Sequence, residues 1–166
     1  MDCFDLTDEQ KEKYLQCREV KKDTVRHESE VIEKLKALAS YEITTVTRAF
    51  YLPSVDKIHM PSLEAFTDLD HWHDVYFHEL THWTGHEKRL DRKLKGKTNS
   101  VEYSKEELVA ELGSFFICLD LGIKKDLESG ASYLKSYLKK TSNKELFEAM
   151  NKAIKAVQFI YEKIGE

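Results

Sequence analysis

Apolar positions recur along this chain with two different spacings, and the points where the spacing changes divide it into elements. Val31, Ile32, Leu35, Leu38 and Ala39 follow the three-to-four spacing of one helix face, so the segment that closes near residue 40 reads as a helix with an apolar stripe. Ahead of it, Thr7 and Gln10 form a capping-box pattern that opens a polar helix to about Lys22 with little to bury. Residues 1–40 are therefore expected to be a helical N-terminal arm, its first 23 residues weakly tethered. From Tyr41 the pattern becomes β-branched and aromatic, "YEITTVTRAFYL", then "PSVD", then "KIHM". With Pro53 and Asp56 supplying turn chemistry, this predicts a β-hairpin or two consecutive strands. Pro61 ends the run, and Ser62 can cap a short helical turn through Phe66.

The next periodic segment predicts a helix from about Asp68 to Thr84, with Asp68 or Asp70 near its start and Gly85 where a left-handed C-cap would sit. "HEKRLDRKLKGKTNS" has no sustained period and reads as a loop. Ser104 then opens a helix, "SKEELVAELGSFFICLDLG", with Leu108, Leu112, Phe115, Phe116 and Leu119 as its stripe. After Gly122 come a short helix around Ala131 to Lys139 and a final one opened by a Ser142/Glu145 capping box. The stripe of that last helix is Leu146, Phe147, Met150, Ile154, Val157, Tyr161 and Ile164. Residues 41–166 are expected to form one domain, since 166 residues with 41% hydrophobic content suit a single core.

Composition narrows the setting. A formal net charge of −4 gives no global attraction to DNA, RNA or an anionic membrane. The acidic start "MDCFDLTDEQ" lacks the features of a targeting signal, and the longest strongly apolar run, Phe115 to Leu119, is far shorter than a membrane helix. Three widely separated cysteines, Cys3, Cys17 and Cys118, without a C-x-x-C pair, point to reduced thiols and a cytoplasmic protein.

The chemistry concentrates in "VYFHELTHWTGH", Val75 to His86. Residues four apart on a helix share a face, so His78 and His82 can turn imidazole nitrogens toward one ion about 2.0 to 2.1 Å away. Glu79 projects beside such an ion, where it can take a proton from water and pass it to a leaving amine. The plainer alternative, histidines that pack and hydrogen-bond on a half-buried helix, fits this motif and its helical context less well. A catalytic zinc needs a third protein ligand. His86 is one candidate, but the H-E-x-x-H-x-x-G-x-x-H pattern puts its last histidine where this chain has Lys88, and Gly85 interrupts the helix; His86 reads better as a loop residue near the rim. Glu107 and Glu111 are the stronger candidates, one turn apart on a face with the small residues Ala110 and Ser114, which allow a close approach to the histidine helix.

In a gluzincin arrangement the first of two such carboxylates binds zinc and the second hydrogen-bonds a ligand histidine, usually as an aspartate where "ELVAE" has glutamate. Glu107 as the far half of a capping box with Ser104, and Glu111 as an exposed glutamate, are the alternatives, and the sequence leaves open which of the two is the ligand. Asp74, one turn before His78, could support a ligand histidine, but it reads better as part of a solvated face, as do His71 and His73. Tyr103 has the chemistry to donate to an oxyanion, but no pattern selects it.

With both motifs in place, the chain resembles the zincin-type metallopeptidase domain at the C-terminal end of ArdC-like antirestriction proteins and related polyvalent proteins of plasmids and phages. The resemblance runs from about Arg48 to Ile164 and rests on "AFYLPSVDKIHMP", "HELTHWTGH" followed by "RL", "EELVAELGSFF" and "LGI". It implies an α+β, zincin-like fold of gluzincin type, with a small antiparallel or mixed sheet packed on an active-site helix and a helical C-terminal half, and a bound divalent metal. In full-length members it also implies a preceding single-stranded-DNA-binding domain, for which residues 1–40 are too short and too acidic.

The first reading is thus a zinc-dependent peptidase encoded by a mobile element: His78, His82 and Glu107 hold Zn2+, Glu79 is the general base and acid, and Glu111 orients a histidine. The rival is a non-proteolytic antirestriction or binding module that keeps zinc for structure. It draws support from six basic residues, Lys88, Arg89, Arg92, Lys93, Lys95 and Lys97, set against one acid, Asp91, enough for a weak single-stranded DNA contact. A peptide deformylase would want a cysteine ligand, and Cys118 falls on the apolar side of its helix.

Overall fold

The computed structural model describes residues 21–92, 94, 101–125 and 142–166. The predicted helices at Thr7 to Lys22 (apart from its last two residues) and at Ala131 to Lys139 lie outside the described residues, as do Cys3, Cys17, Lys93, Lys95 and Lys97. The chain forms two compact units, residues 1–36 and 37–166. Helix α1, Lys21–Leu38, carries the predicted stripe, with Val31 and Leu35 buried.

The second unit begins with three short strands, β1 (Tyr41–Thr44), β2 (Phe50–Leu52) and β3 (Lys57–Pro61), in the order β1-β3-β2. β3 pairs antiparallel with β2, as the hairpin reading expects, and parallel with β1. "YEITTVTRAFYL" is therefore not one strand. β1 and β2 occupy opposite edges, so residues 45–49 must cross two strand spacings, roughly 10 Å, and leave the extended ladder to do so. Ile58 and Met60 of β3 are fully buried, while Glu42, Lys57 and His59 on the other face pair with one another near solvent. The hairpin turn puts Asp56 at φ 53, a left-handed conformation that Asp tolerates better than most residues.

Helix α2 (Leu69–Thr84) starts where predicted, its Asp68 cap accepting from the His71 backbone N–H at 2.8 Å. Its end corrects the expectation. Gly85 is right-handed, φ −78, and the glycine is needed for space: a Cβ there would lie 2.7 Å from Leu94 Cδ2 and 2.9 Å from Arg92 Nη2. Helix α3 (Val101–Asp120) starts before Ser104, because nothing in "VEY" stops a helix, and so Ser104 is an interior residue and not a cap. α3 crosses α2 at Gly113, whose missing Cβ would stand 2.5 Å from Thr81 Oγ1. Ala110 and Ser114 are fully buried beside it, as the close approach requires.

Helix α4 (Asn143–Ile164) has the predicted Ser142/Glu145 capping box and a left-handed Gly165 at its end. Its buried face is Ala149, Ala153, Ala156 and Ile160, whereas Phe147 is 64% exposed. Alanines let α4 lie against Leu108 and Val109 of α3, and the face is rotated from the larger residues that the pattern favoured. The same happens on α3, where Leu119 of the predicted stripe is exposed and Val109, Ile117 and Cys118 are buried. Among the described residues no helix is long and apolar enough to cross a membrane.

Candidate metal centre

α2 and α3 meet through Gly113 and Thr81, and this approach brings Glu107 opposite the two motif histidines. His78 Nε2 lies 3.7 Å from Glu107 Oε2, and His82 Nε2 lies 3.4 Å from Glu107 Oε1. One ligand atom from each of the three residues falls within 4.8 Å of the others. Tetrahedral bonds of about 2.0 to 2.1 Å separate ligand atoms by roughly 3.3 to 3.4 Å, so the arrangement is close to what a divalent cation would draw together. Two imidazoles and a carboxylate are also the donor set such an ion takes.

The other ring nitrogens are held by carboxylates. His78 Nδ1 is 3.3 Å from Glu111 Oε1, and His82 Nδ1 is 3.3 Å from Glu106 Oε1. Each carboxylate meets a buried cation in turn: Glu111 pairs with Lys125 at 3.3 Å and Glu106 with Arg92 at 2.8 Å. Lys125 also pairs with Asp74, which accepts from the Ser114 hydroxyl. Burial works against charge on the histidines, but the hydrogen bonds that Glu107 and Glu111 accept outweigh it for His78 and push its pKa up to about 10. His82 is raised too, by Glu106 and Glu107 against the same penalty. Burial would raise the pKa of Glu107, yet its bonds to both histidines hold it well below the usual carboxylate range. Protons and a divalent cation would therefore compete for the same ring nitrogens.

Glu79 is buried beside this set, and its Oε2 accepts from the backbone N–H of Tyr51 at 2.7 Å. Tyr51 belongs to the edge strand β2, so the residue that would act as base also ties the sheet to α2. The site opens into a cleft of about 450 Å³, walled by β2 and the residues before it on one side and by α3 on the other.

A model of the zincin-like metallopeptidase family matches residues 29–152. The chain belongs to this family. Two proteins named DNA primase TraC from Escherichia coli are similar over 115 residues, at 42% and 40% identity and 68% of this chain. The chain spans only 11% and 8% of their lengths. The uncharacterized protein y4eC of Sinorhizobium fredii (strain NBRC 101917 / NGR234) is 36% identical over 110 residues, 64% of this chain and 36% of its own. Two crystal structures of the antirestriction protein ArdC from plasmid R388 cover 81% of the chain. The Mn(II)-bound form gives a TM-score of 0.70 at 32% identity over 52% of that chain, and the metal-free form 0.67 at 34% over 50%. The fold is α+β and zincin-like, with its mixed three-stranded sheet set against α2.

Several residues stand elsewhere than the sequence suggested. Asp74 is not solvated: it is 7% exposed and engaged by Ser114 and Lys125. His73 is likewise buried. His86 is buried in the turns after α2, its Nδ1 accepting from the Lys88 backbone N–H at 3.2 Å, and is not grouped with the three ligand candidates. Cys118 is buried near Asp74 and Ser114, away from the ligand set, and burial pushes its thiol up to about 12. Two of the six basic residues read as a DNA-contact loop point inward. Arg89 is bonded to Asp56 and to Tyr51 OH, and its guanidinium lies 3.9 Å above the Trp83 ring. Arg92 is 7% exposed and locked on Glu106. Glu106 is the residue that sequence reasoning missed. Adjacent helix positions do not share a face, so a pattern built on Glu107 passes over its neighbour. The available signal was Arg92, a guanidinium eight residues beyond the helix end with a carboxylate to find.

Proposed function

We propose that this chain is a zinc-dependent peptidase of gluzincin type, and the convergence of His78, His82 and Glu107 beside Glu79 is the observation that carries the reading. His78 Nε2, His82 Nε2 and a Glu107 oxygen would hold the ion, with Glu111 fixing the His78 ring through Nδ1. A bound zinc supplies Lewis acidity toward a carbonyl and makes water a nucleophile near neutral pH. Glu79 accepts the proton of the attacking water and delivers it to the leaving amine. The Tyr51 N–H holds one oxygen of Glu79, and the carboxylate has a second acceptor oxygen to offer that water. β2 is an edge strand that lines the cleft, so an extended peptide can pair along it and bring its carbonyl to the site.

A second reading, an antirestriction or nucleic-acid- or protein-binding module that retains the metal for structure, is supported by the structural likeness to ArdC. Digestion of a peptide library by zinc-loaded wild type and Glu79→Gln separates the two. The peptidase reading expects cleavage by the wild type and none by Glu79→Gln, with zinc content equal in both. Equal cleavage by both would remove Glu79 from the chemistry. An absence of cleavage in either, with zinc bound, would favour the binding module.

A further inference from the structure

We propose that Glu106, gripped by Arg92, is a positioning residue that fixes the tautomer and ring orientation of His82 in the metal centre. The inference rests on the metal reading of His78, His82 and Glu107. A neutral imidazole carries one N–H, and an ionised carboxylate can only accept. With an ion bound and Glu106 Oε1 at 3.3 Å from Nδ1, the proton belongs on Nδ1 and the Nε2 lone pair is left for the ion.

A glutamate alone would hold that ring loosely, since its carboxyl rotates about several bonds. Arg92 removes the freedom. Its Nε lies 3.2 and 3.1 Å from the two Glu106 oxygens, and its Nη2 lies 2.8 Å from Oε1. The guanidinium is itself fixed to the turn of α2 that bears His82: Nη1 donates to Thr84 Oγ1 and Nη2 to the Thr81 carbonyl, both at 2.7 Å. The Arg92 backbone N–H donates to the Gly85 carbonyl at 3.0 Å. The contacts close a ring that leaves the helix at Thr81 and Thr84, passes through Arg92 and Glu106, and returns at the imidazole of His82. Both charged side chains are nearly inaccessible, 7% and 11% exposed, so water competes little for these bonds. Gly85 belongs to the device, because a Cβ there would stand 2.9 Å from Arg92 Nη2. His78 has a looser counterpart in Glu111 and Lys125, where a single ammonium contact replaces the fork.

The test is zinc affinity, read by competition with a chromophoric chelator, beside the melting temperature of the metal-free protein. Removing one charge would strand the other in the interior, so the main variant removes both: Arg92→Met with Glu106→Leu, an apolar pair of similar volume. A brace predicts that this variant binds zinc roughly 10- to 100-fold more weakly than wild type while its metal-free melting stays close to wild type. Affinity within about two-fold of wild type would reduce the pair to a structural ion pair and overturn the proposal. Should the double variant fail to fold, Glu106→Gln decides by nitrogen-15 NMR of the zinc-loaded protein. The His82 Nδ1 proton should move upfield when an amide replaces the carboxylate, and an unchanged resonance would overturn the proposal. A wild type that binds no zinc would overturn the metal centre and the brace with it, whereas intact affinity in the double variant would overturn the brace alone.

Discussion

Replacing Gly113 by alanine should damage the metal centre although Gly113 touches no ligand. The new methyl would stand 2.5 Å from Thr81 Oγ1, 2.6 Å from its Cγ2 and 3.1 Å from its Cβ. Ordinary contact needs about 3.5 Å or more, so α2 and α3 must part by roughly 1 Å or Thr81 must distort. Thr81 has little room: it is fully buried and its hydroxyl donates to the Phe77 carbonyl at 2.8 Å. Overpacking of this kind costs about 1–3 kcal/mol, against which alanine's better helix propensity returns about 0.8–1.0 kcal/mol. Gly113→Ala should therefore lower stability by about 0–2 kcal/mol. In a Thr81→Ala background, where Oγ1 and Cγ2 are gone, the same change should be neutral or stabilising by up to about 1 kcal/mol. A double-mutant cycle by urea unfolding of the metal-free protein should thus show coupling of about 1–3 kcal/mol between the two sites. Zinc affinity should fall in Gly113→Ala and recover in the double variant, since metal sites tolerate only a few tenths of an ångström in their ligand distances. A stabilising Gly113→Ala in the wild-type background would refute the close-approach argument.

Two further outcomes follow from the charges. The pKa of His78 is raised to about 10 in the metal-free protein, so the stability it contributes is fully present below its unfolded value near 6.5 and is lost as pH rises through about 10. Zinc binding must expel those protons, so affinity rises over the same interval. Melts from pH 6.5 to 10 should therefore show the gap between zinc-loaded and chelator-treated protein widening; a constant gap would contradict the proton-for-metal exchange. Single-stranded DNA binding should be weak and confined to low salt, and Arg89→Lys should leave it unchanged because Arg89 is held by Asp56, Tyr51 and Trp83. Filter binding that stays tight at physiological salt would count against this.

What the sequence could say depended on how local the determinant was. The α2 cap, the capping box of α4, the hairpin around Asp56 and the one-turn spacing of His78 and His82 are all set within a few residues, and each was legible. The zincin-like fold was legible as well, through the two motifs together, and so was the candidate donor set that the fold brings together. Faces chosen by close packing were not. α4 buries Ala149, Ala153 and Ala156 because α3 lies near, and an alanine carries almost no periodic signal of its own. The division of "YEITTVTRAFYL" into two edge strands depends on β3, which the chain reaches only later. Charge was the hardest to place: Asp74, Arg89 and Arg92 look like surface residues in one dimension and find their partners only in three.

Glu107, and not its neighbours, is proposed to complete a zinc site with His78 and His82. Thermal melts of wild type, Glu107→Ala and Glu111→Ala, each with zinc and with chelator, test it most directly. A metal that binds only the folded chain stabilises it by mass action, about 2.7 kcal/mol at a hundredfold excess over Kd. About one zinc per chain is expected, with a large deficit for Glu107→Ala in zinc that shrinks when the wild type is also stripped. Glu111→Ala, which loses the contacts to His78 Nδ1 and Lys125 but no ligand, should bind zinc roughly 10- to 100-fold more weakly yet still respond to it. Glu107→Ala gaining as much stability from zinc as the wild type would contradict the assignment.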